Sequence, residues 1–341
     1  TGSMRRILAT IQFYNENGGA TFILHSALRN NFDLYNKNKY FFVKHTVFER
    51  LIIDESYIWE VLKECGKPDI YFSYGIPIHN TVGKVNWFHV SNALSLTVKG
   101  IILPLSTRLK MLLLKARIQS TVRNMDIVSG ESQYTLDLFK TQIRVNKSIN
   151  YHLLKNGHGF QNILTSRVIQ ADLRNGIYAM TIGIASYKRL HIVYNIFKQL
   201  QKTNRLLKSL YVVASPHDVP YMKALIPKCL KVDKNIVVDI FENRDELVKL
   251  MQGMDYYVSA SQIENSSNAL LEGLIFSKSV IASDIPSHRE LLSGQKYKYF
   301  YEKDSNEKFI HYEKNDKSDF STNLSWNDAV REMYIIGGRV R

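Results

Sequence analysis

The sequence has few residues of the kinds that crosslink a chain or anchor it in a bilayer. Only two cysteines occur in 341 residues, Cys65 and Cys229, one in each half. Two separated thiols provide neither a disulfide framework nor a zinc site, and they suit a reducing cytoplasm. No run of about 18 apolar residues is present, so the sequence predicts no membrane-spanning helix.

Acidic residues are missing from one long stretch. No Asp or Glu occurs from Ile70 to Met125, and the chain as a whole carries a net charge of +14. The cations of this stretch are Lys84, Lys99, Arg108, Lys110, Lys115, Arg117 and Arg123. A positive field attracts nucleic acid, an anionic membrane surface or a phosphorylated substrate, and charge alone does not choose among them.

Short apolar runs alternate with longer amphipathic ones in the first half, which is typical of a parallel sheet covered by helices. Ile7–Phe13 is predicted to be a buried first strand rather than a signal peptide, and Thr21–Leu28 is predicted to begin a helix. Further strands are predicted at Tyr40–His45, Asp69–Tyr74, Lys84–His89 and Asp126–Ser129, with helices at Ser56–Cys65, Leu103–Val122 and Ser132–Phe139.

The alternation restarts after a polar stretch from Asn156-Gly157 to about Asn175. Strands are predicted at Tyr178–Ala185, Leu210–Ala214, Ile236–Phe241, Tyr256–Ala260 and Ser279–Ala282, with helices at His191–Gln201, Val219–Ile226, Arg244–Met251, Asn268–Ser277 and Ser325–Tyr334. We expect an α/β protein with two doubly wound, Rossmann-like domains, at 4–155 and 175–322, followed by a segment at 323–341. The carboxyl ends of both sheets are expected to face a cleft in which ligands bind.

Two glutamates, Glu264 and Glu272, follow a predicted strand. Asn, Ser and Thr are preferred N-cap residues, so the helix is predicted to begin at Ser266 or Ser267. Glu264 would then lie in the loop and Glu272 inside the helix. A pair of glutamates at this spacing is, in most sequences, one surface carboxylate and one that stabilises a helix start.

The start of this helix is also a predicted anion site. The backbone N–H groups of Asn268 and Ala269 would lack acceptors within the helix, and they lie at the positive end of its dipole. Together with the two glutamates, this arrangement could hold a polyhydroxylated anion.

The segment resembles the signature of the retaining glycosyltransferases of family 4, which have the GT-B fold. The matching residues are Asp245-Glu246-Leu247, Met254 to Ala260, Ser261-Gln262-Ile263-Glu264, Leu270-Leu271-Glu272-Gly273, Ser279 to Pro286 and Arg289-Glu290. The resemblance implies transfer of a hexosyl or N-acetylhexosaminyl group, with retention, from a nucleoside-diphosphate sugar to an acceptor hydroxyl. It implies that Glu272 binds the ribose, that Glu264 orients the transferred sugar, and that Ser267, Asn268 and Ala269 bind the donor.

The resemblance extends to positions that would bind the diphosphate. Lys188 aligns with a family lysine, whereas the family's arginine would fall near Ile184 and is absent. Either Arg189 supplies the second positive charge or the donor is held by fewer ionic contacts. Gly18-Gly19, expected to follow the first strand, resembles the family's glycine loop near the donor; a plain turn is the alternative.

The first half also supplies a candidate catalytic histidine. His89 ends the predicted strand Lys84–His89, where the resemblance implies a histidine near the reacting sugar and the acceptor; His79 competes for this role, and a structural histidine is the alternative. Asn156-Gly157 matches the end of the family's first domain. The resemblance also implies that the final helix, which begins at Ser325-Trp326, crosses back to that domain.

No Asp-x-Asp pair, which holds a metal on the diphosphate in transferases of another fold, occurs in the sequence. We therefore expect no cofactor and no metal requirement, because cations and a helix dipole would neutralise the leaving group. The segment Arg108–Arg117 mixes cations with leucines; it predicts either a core helix with a solvated face or a helix that docks on an anionic membrane.

The expected acceptor is a saccharide, linked to a lipid diphosphate in the assembly of a cell-surface polysaccharide of the O-antigen or capsule type. The expected location is the cytoplasm, at the inner face of the plasma membrane. Two other functions fit parts of the sequence: a sugar-nucleotide epimerase of similar fold, and a basic nucleic-acid-binding protein. The second lacks a recognisable nucleic-acid module and would leave the glutamate pair without a role.

Overall fold

The computed structural model describes residues 2–30, 36–44, 56–157, 176–241, 244–314 and 325–340. The chain forms two compact units, each treated separately below. The first unit contains residues 1–99, 105–159 and 324–341, and the second contains residues 100–104 and 160–323. The predicted domain ends at 175, 322 and 323, and most of the polar stretch up to Asn175, lie outside the described residues.

The helices that the structure describes follow one another as α1 (Gly2–Glu16), α2 (Ser56–Cys65), α3 (Leu105–Thr121), α4 (Gln133–Gln142), α5 (Leu190–Thr203), α6 (Met222–Leu225), α7 (Lys228–Val232), α8 (Arg244–Gln252), α9 (Asn268–Phe276), α10 (Pro286–Leu291) and α11 (Trp326–Val340). The strands are β1 (Thr21–His25), β2 (Lys39–Val43), β3 (Ile70–Tyr74), β4 (Val85–Val90), β5 (Ile127–Gly130), β6 (Asn150–Leu153), β7 (Ile177–Ile182), β8 (Leu207–Ala214), β9 (Ile236–Ile240), β10 (Tyr256–Ser259), β11 (Ser279–Ser283), β12 (Lys298–Tyr301) and β13 (Lys308–Glu313). Most predicted elements of both halves are confirmed to within a few residues.

The first unit is built on a parallel sheet with strand order β3-β4-β5-β6. Because successive side chains of a strand point to opposite faces, Trp87 and Phe88 of β4 lie in different cores. Trp87 packs in a cluster with residues of α1 and α11, and Phe88 packs with residues of α3 and α4. Helices therefore cover both faces of this sheet. Strands β1 and β2 form a separate parallel pair.

Two predictions for the start of the chain are wrong. Ile7–Phe13 lies within helix α1 instead of forming a strand, and Thr21–Leu28 forms strand β1 followed by a turn of 3-10 helix instead of beginning an α-helix. A short apolar run fits either periodicity, and here packing decides: Ala9 and Phe13, four residues apart, both face the cluster that α1 shares with α11.

The second unit contains a seven-stranded sheet of order β12-β13-β11-β10-β7-β8-β9. Strands β7 to β11 run parallel, whereas β12 and β13 form an antiparallel edge that the sequence analysis did not predict. The predicted helix Val219–Ile226 is a 3-10 segment, Pro216–Tyr221, followed by the short α6.

Strand order determines which loops of the second unit meet. Strands β11, β10 and β7 are neighbours, and all three are parallel. Their carboxyl ends therefore bring together the segments after Ser283, after Ser259 and after Ile182. No helix among the described residues is both long and apolar enough to cross a membrane.

Candidate active site

Helix α9 begins where the sequence predicts. Ser267 is its N-cap, with extended backbone, and its hydroxyl accepts the N–H of Leu270 at 3.2 Å. The N–H groups of Asn268 and Ala269, in the first turn, have no acceptor within the helix by its geometry. The side-chain oxygen of Asn268 is also buried, and none of the residues that the structure describes forms a hydrogen bond with it. The helix start therefore presents donors in a place where an anion is stabilised.

Glu264 lies in the loop before this helix and forms an ion pair with Lys188. Lys188 Nζ donates to Oε1 of Glu264, and the hydroxyl of Ser261 donates to the same oxygen at 2.7 Å. The side chains of Lys188 and Glu264 are only 15% and 13% exposed. Lys188 packs along the backbone of Gly183. Glycine is favoured at position 183 because its φ is +94° and because a Cβ there would lie only 3.3 Å from Cε of Lys188.

Each member of this pair stabilises the charge of the other. Burial alone would raise the pKa of Glu264, but Lys188 and Ser261 outweigh burial and hold that pKa below its ordinary value. Burial would lower the pKa of Lys188, whereas Glu264 and Tyr187 raise it above its ordinary value. Both groups are therefore charged at neutral pH.

Glu272 lies on α9, one turn beyond the helix start, and is 5% exposed. Gly273, the next residue, packs against the ring of Tyr257, and a Cβ at position 273 would lie 2.5 Å from ring carbons. Burial, together with the negative charges of Glu264 and Glu272, raises the pKa of the Tyr257 hydroxyl. Tyr257 therefore stays neutral. Its contact with Gly273 brings α9 close against β10.

His288, in α10, is a site residue that sequence analysis missed. Its Nδ1 lies 2.9 Å from the carbonyl oxygen of Ser283, which can only accept, so Nδ1 carries the proton. The Ser283 hydroxyl donates to the Ser261 carbonyl at 2.6 Å, and Ser261 in turn donates to Glu264. Burial lowers the pKa of His288 to about 4, so its buried Nε2 is an acceptor without a partner.

Arg189 is held by groups of its own unit. Its Nη1 lies 2.7 Å from both carboxylate oxygens of Glu307, and its Nε donates to the Ala260 carbonyl at 2.7 Å. Its backbone is left-handed, with φ of +52°, at the junction between a 3-10 turn and α5. Ile184, near which the family's arginine was expected, is 1% exposed and belongs to the apolar core.

The predicted catalytic histidine of the first unit, His89, is completely buried. It stacks on Tyr74, with ring centroids 5.1 Å apart, and its Nδ1 lies 2.8 Å from the hydroxyl of Ser129. Its Nε2 lies 3.7 Å from Glu131, which is too long for a hydrogen bond. Burial lowers the pKa of His89 to about 4, so its ring is neutral. His79, the competing candidate, lies exposed in the turn after β3.

A chain of buried polar groups extends from His89 across the carboxyl edge of the first sheet. Glu131 accepts from the hydroxyl of Tyr74 at 3.3 Å and from the amide of Asn156 at 3.0 Å. Asn156 in turn accepts from Arg6 of α1 at 2.9 Å. No sequence pattern indicates Glu131 or Arg6, because folding, and not spacing along the chain, brings them to the other members of the network.

Gly18 and Gly19 precede the first strand, so the prediction that they follow it is wrong. Both have positive φ, of +103° and +84°, and Gly19 N–H donates to the Tyr14 carbonyl at 2.6 Å. A Cβ on Gly19 would lie 2.1 Å from the carbonyl oxygen of Lys37. These glycines terminate α1 at the amino end of β1, the alternative that the sequence left open, and their role in donor binding stays a prediction.

Residues 177–312 match the family described as glycosyl transferases group 1. This segment contains Lys188, Glu264, Glu272 and His288. No curated protein matches the sequence.

Solved structures resemble the chain over most of its length. A glycosyltransferase from Rickettsia africae ESF-5 covers 100% of this chain and 95% of its own, with TM-score 0.64 and 14% identity. Anabaena Alr3699/HepE, in complex with UDP and glucose, covers 85% of this chain and 79% of its own, with TM-score 0.59 and 14% identity. A UDP-forming α,α-trehalose-phosphate synthase from Burkholderia xenovorans, bound to glucose-6-phosphate, covers 85% and 83%, with TM-score 0.56 and 10% identity.

At these identities the likeness is one of fold. The two-unit α/β architecture predicted from the sequence is confirmed as GT-B, and the family resemblance carried by the glutamate segment is confirmed by the match over residues 177–312.

Proposed function

We propose that this chain, whose residues 177–312 belong to the glycosyl transferases group 1, transfers a hexosyl or N-acetylhexosaminyl group from a UDP-sugar to a hydroxyl of a saccharide. One observation carries the proposal: the buried Lys188–Glu264 pair lies at the same strand ends as the start of α9, which also contains Glu272. A cation, free helix N–H groups and two carboxylates match the phosphates, sugar and ribose of one ligand.

The diphosphate is assigned to Lys188 and to the N–H groups of Asn268 and Ala269. Negative charge grows on the leaving diphosphate as the glycosidic bond breaks, and donors already in place stabilise it without reorganisation. Arg189 contributes through structure, because Glu307 and a backbone carbonyl hold its guanidinium. The donor is therefore held with one lysine where the family has two cations.

Glu272 is assigned to the ribose hydroxyls and Glu264 to the transferred sugar. Glu272 lies four residues, or about 6 Å along the helix axis, beyond Asn268, so one ligand can reach both the first turn and the carboxylate. A carboxylate can accept hydrogen bonds from two neighbouring hydroxyls. Uridine is proposed as the base because HepE binds UDP and the trehalose-phosphate synthase forms it.

Retention is proposed to proceed on one face of the sugar without a dedicated protein base. The bond from the anomeric carbon to the phosphate oxygen breaks, the bond to the acceptor oxygen forms on the same face, and the acceptor proton passes to the departing phosphate. His89 and His288, each with a pKa lowered to about 4 by burial, are poor bases at neutral pH. No metal or cofactor is assigned a part.

The acceptor is proposed to be a lipid-diphosphate-linked glycan, met by the first unit at the inner face of the plasma membrane. Helix α3 presents a leucine stripe, Leu105, Leu109 and Leu112, whose members are 82%, 56% and 46% exposed and share one helix face. Exposed Arg108 and Lys110 lie in the same turns. Apolar side chains beside cations are the features that attach a helix to an anionic bilayer.

The membrane proposal is tested by flotation with phosphatidylcholine vesicles that contain or lack phosphatidylglycerol. We expect binding only to the anionic vesicles, and loss of binding when Leu105 and Leu109 are both replaced by Ser. Equal binding to neutral vesicles, or full binding by the double variant, would contradict it.

The reaction is tested by release of nucleoside diphosphate from a panel of UDP- and GDP-sugars, with and without saccharide acceptors. Glu272→Gln should raise the donor KM strongly, and full activity of this variant would contradict the site assignment. Incubation with the sugar nucleotide alone tests the alternative, because an epimerase converts its donor into an isomer and releases no diphosphate.

A further inference from the structure

Lys188 and Glu264, the two groups assigned to the donor, are each other's ionic partners. Lys188 donates to Oε1 of Glu264, and the Ser261 hydroxyl is the second donor to that oxygen. Both charged side chains are nearly buried. A diphosphate that takes Lys188 therefore removes the cation that the described residues place on Glu264.

The loss of that cation has a cost that depends on the ligand. A buried carboxylate deprived of its partner is destabilised, because water has little access to replace it. The diphosphate also brings negative charge close to the Glu264 carboxylate, at a place where screening is weak. Both costs fall if the ligand itself brings hydrogen-bond donors to Glu264. Sugar hydroxyls are such donors, and a free nucleoside diphosphate has none at that position.

We propose that the Lys188–Glu264 pair makes the site select a glycosylated nucleoside diphosphate over the free one. The sugar nucleotide takes Lys188 with its phosphates and offers hydroxyls to Glu264 in exchange. The free diphosphate takes Lys188 and leaves Glu264 with Ser261 alone. The pair thereby favours entry of the donor and departure of the spent nucleotide. The selectivity rests on the proposed function, because it takes both residues as donor ligands.

Calorimetric titration of Glu264→Gln tests the selectivity. Glutamine keeps the size and an acceptor oxygen of Glu264 but removes its charge, so a free diphosphate no longer leaves a buried anion behind. We expect the Kd of UDP to fall by about tenfold relative to the wild type, equivalent to about 1.4 kcal/mol. The Kd of the sugar nucleotide, UDP-glucose or UDP-N-acetylglucosamine, should stay the same or rise. GDP and GDP-mannose serve as the second pair of probes.

Glu272→Gln is the matched control. It removes a buried carboxylate from helix α9, which follows the loop that contains Glu264, but this carboxylate is assigned to the ribose, which both ligands possess. It should weaken UDP and the UDP-sugar by the same factor, so that the ratio of the two Kd values does not change.

In Glu264→Gln, the nearly buried Lys188 loses its carboxylate partner, which could destabilise the folded protein. A second variant is therefore needed. Lys188→Gln combined with Glu264→Gln replaces the ion pair by two amides and buries no uncompensated charge. Affinity for both ligands should fall, and the wild-type preference for the sugar nucleotide relative to UDP should fall as well. Thermal melting identifies any variant that does not fold.

The possible outcomes are distinct. An unchanged ratio in folded Glu264→Gln, or weaker binding of UDP by that variant, overturns the selectivity while leaving the proposed function in place. Failure of the wild-type protein to bind any of these nucleotides overturns the proposed function and the selectivity together.

Discussion

Each unit places a buried carboxylate at the carboxyl edge of its parallel sheet, and the two carboxylates have different partners. Glu131, in the first unit, accepts from the neutral groups of Tyr74 and Asn156. Glu264, in the second, contacts the charged amine of Lys188. Neither of these two donors is a cation that an incoming anion could take over from Glu131. A lysine held by a carboxylate offers a cation that a phosphate can take over.

Glu131 has the contacts of a carboxylate that stabilises the fold, whereas Glu264 has the contacts of one that can take part in binding. Arg6 reaches Glu131 only through Asn156, and it also donates to the Leu154 carbonyl at 2.9 Å, so the first network links α1 to the sheet edge. In the second unit the contacts are local to the strand ends. We therefore expect substitutions in the first network to change stability, and those in the second to change ligand binding and turnover.

The largest effect is expected for Lys188→Met. The substitution removes the cation assigned to the leaving diphosphate, and loss of one such stabilising group lowers kcat by about 10²–10³-fold. Steady-state release of UDP measures the change. Lys198→Met is the control and should retain full kcat, because Lys198, on a helix of the same unit, is half-buried and pairs with Asp233 and not with Glu264. If Lys188→Met retained the wild-type kcat, the Lys188–Glu264 pair would have no part in turnover, and Glu264 would not differ from Glu131 in this respect.

Glu131→Ala should lower the free energy of unfolding of the first unit by about 3 kcal/mol, because the buried amide of Asn156 loses the carboxylate to which it donates. All three tryptophans, Trp59, Trp87 and Trp326, lie in this unit, so urea unfolding followed by tryptophan fluorescence reports on it alone. Glu131→Gln keeps an acceptor oxygen and should cost less. If Glu131→Ala were as stable as the wild type but inactive, we would conclude instead that Glu131 binds substrate.

Lowering the pH should reduce the free energy of unfolding of the first unit, because His89 is buried there in its neutral form. Burial lowers its pKa from 6.5 to about 4, so between these values the unfolded chain binds a proton that the folded unit excludes. Stability attributable to His89 therefore falls as pH decreases from 6.5 to 4, by about 1.4 kcal/mol per pH unit at most, and levels off below. His89→Gln should show a flatter dependence in the same fluorescence assay. Parallel curves for the two proteins would contradict a buried neutral His89.

The smallest expected effect is that of chelation. Since Lys188 and the start of α9 are assigned the charge of the diphosphate, EDTA should leave the initial rate unchanged, and added Mg²⁺ should not raise it. A rate that falls with EDTA and returns with Mg²⁺ would show that the second unit needs a further cation to complete its site.

Sequence information was sufficient for the local structure around the candidate site. The start of α9 follows from the capping preference of Ser267, and the loop position of Glu264 follows from that start. Lys188 is a candidate because the phase of the helix after it aligns it with a lysine of the resembled family. Ser267 and Glu264 lie in the β10–α9 segment and Lys188 in the β7–α5 segment, and within each segment local propensity and tertiary structure agree.

Features that depend on distant contacts could not be predicted in this way. Arg6 and Asn156 are 150 positions apart, and nothing in either segment indicates the other. The run Ile7–Phe13 has an apolar pattern that suits a strand or a helix, and only its packing against α11 makes it a helix. His288 contacts Ser283, only five positions away, but its connection to Glu264 depends on the hydrogen bond from Ser283 to Ser261, which are 22 positions apart.

At Gly273, the ring of the β10 residue Tyr257 packs directly against the backbone of α9. This ring therefore sets the distance between the helix and the strand. Any side chain at that position would push the helix outward, and Glu272 would move as one block with the first-turn amides. The distance between the first-turn amides, assigned to phosphate, and Glu272, assigned to ribose, would then stay the same. The distance of both groups from Glu264 would change. A directed-evolution library that seeks new nucleotides should therefore hold position 273 constant, whereas one that seeks larger sugars has a reason to vary it.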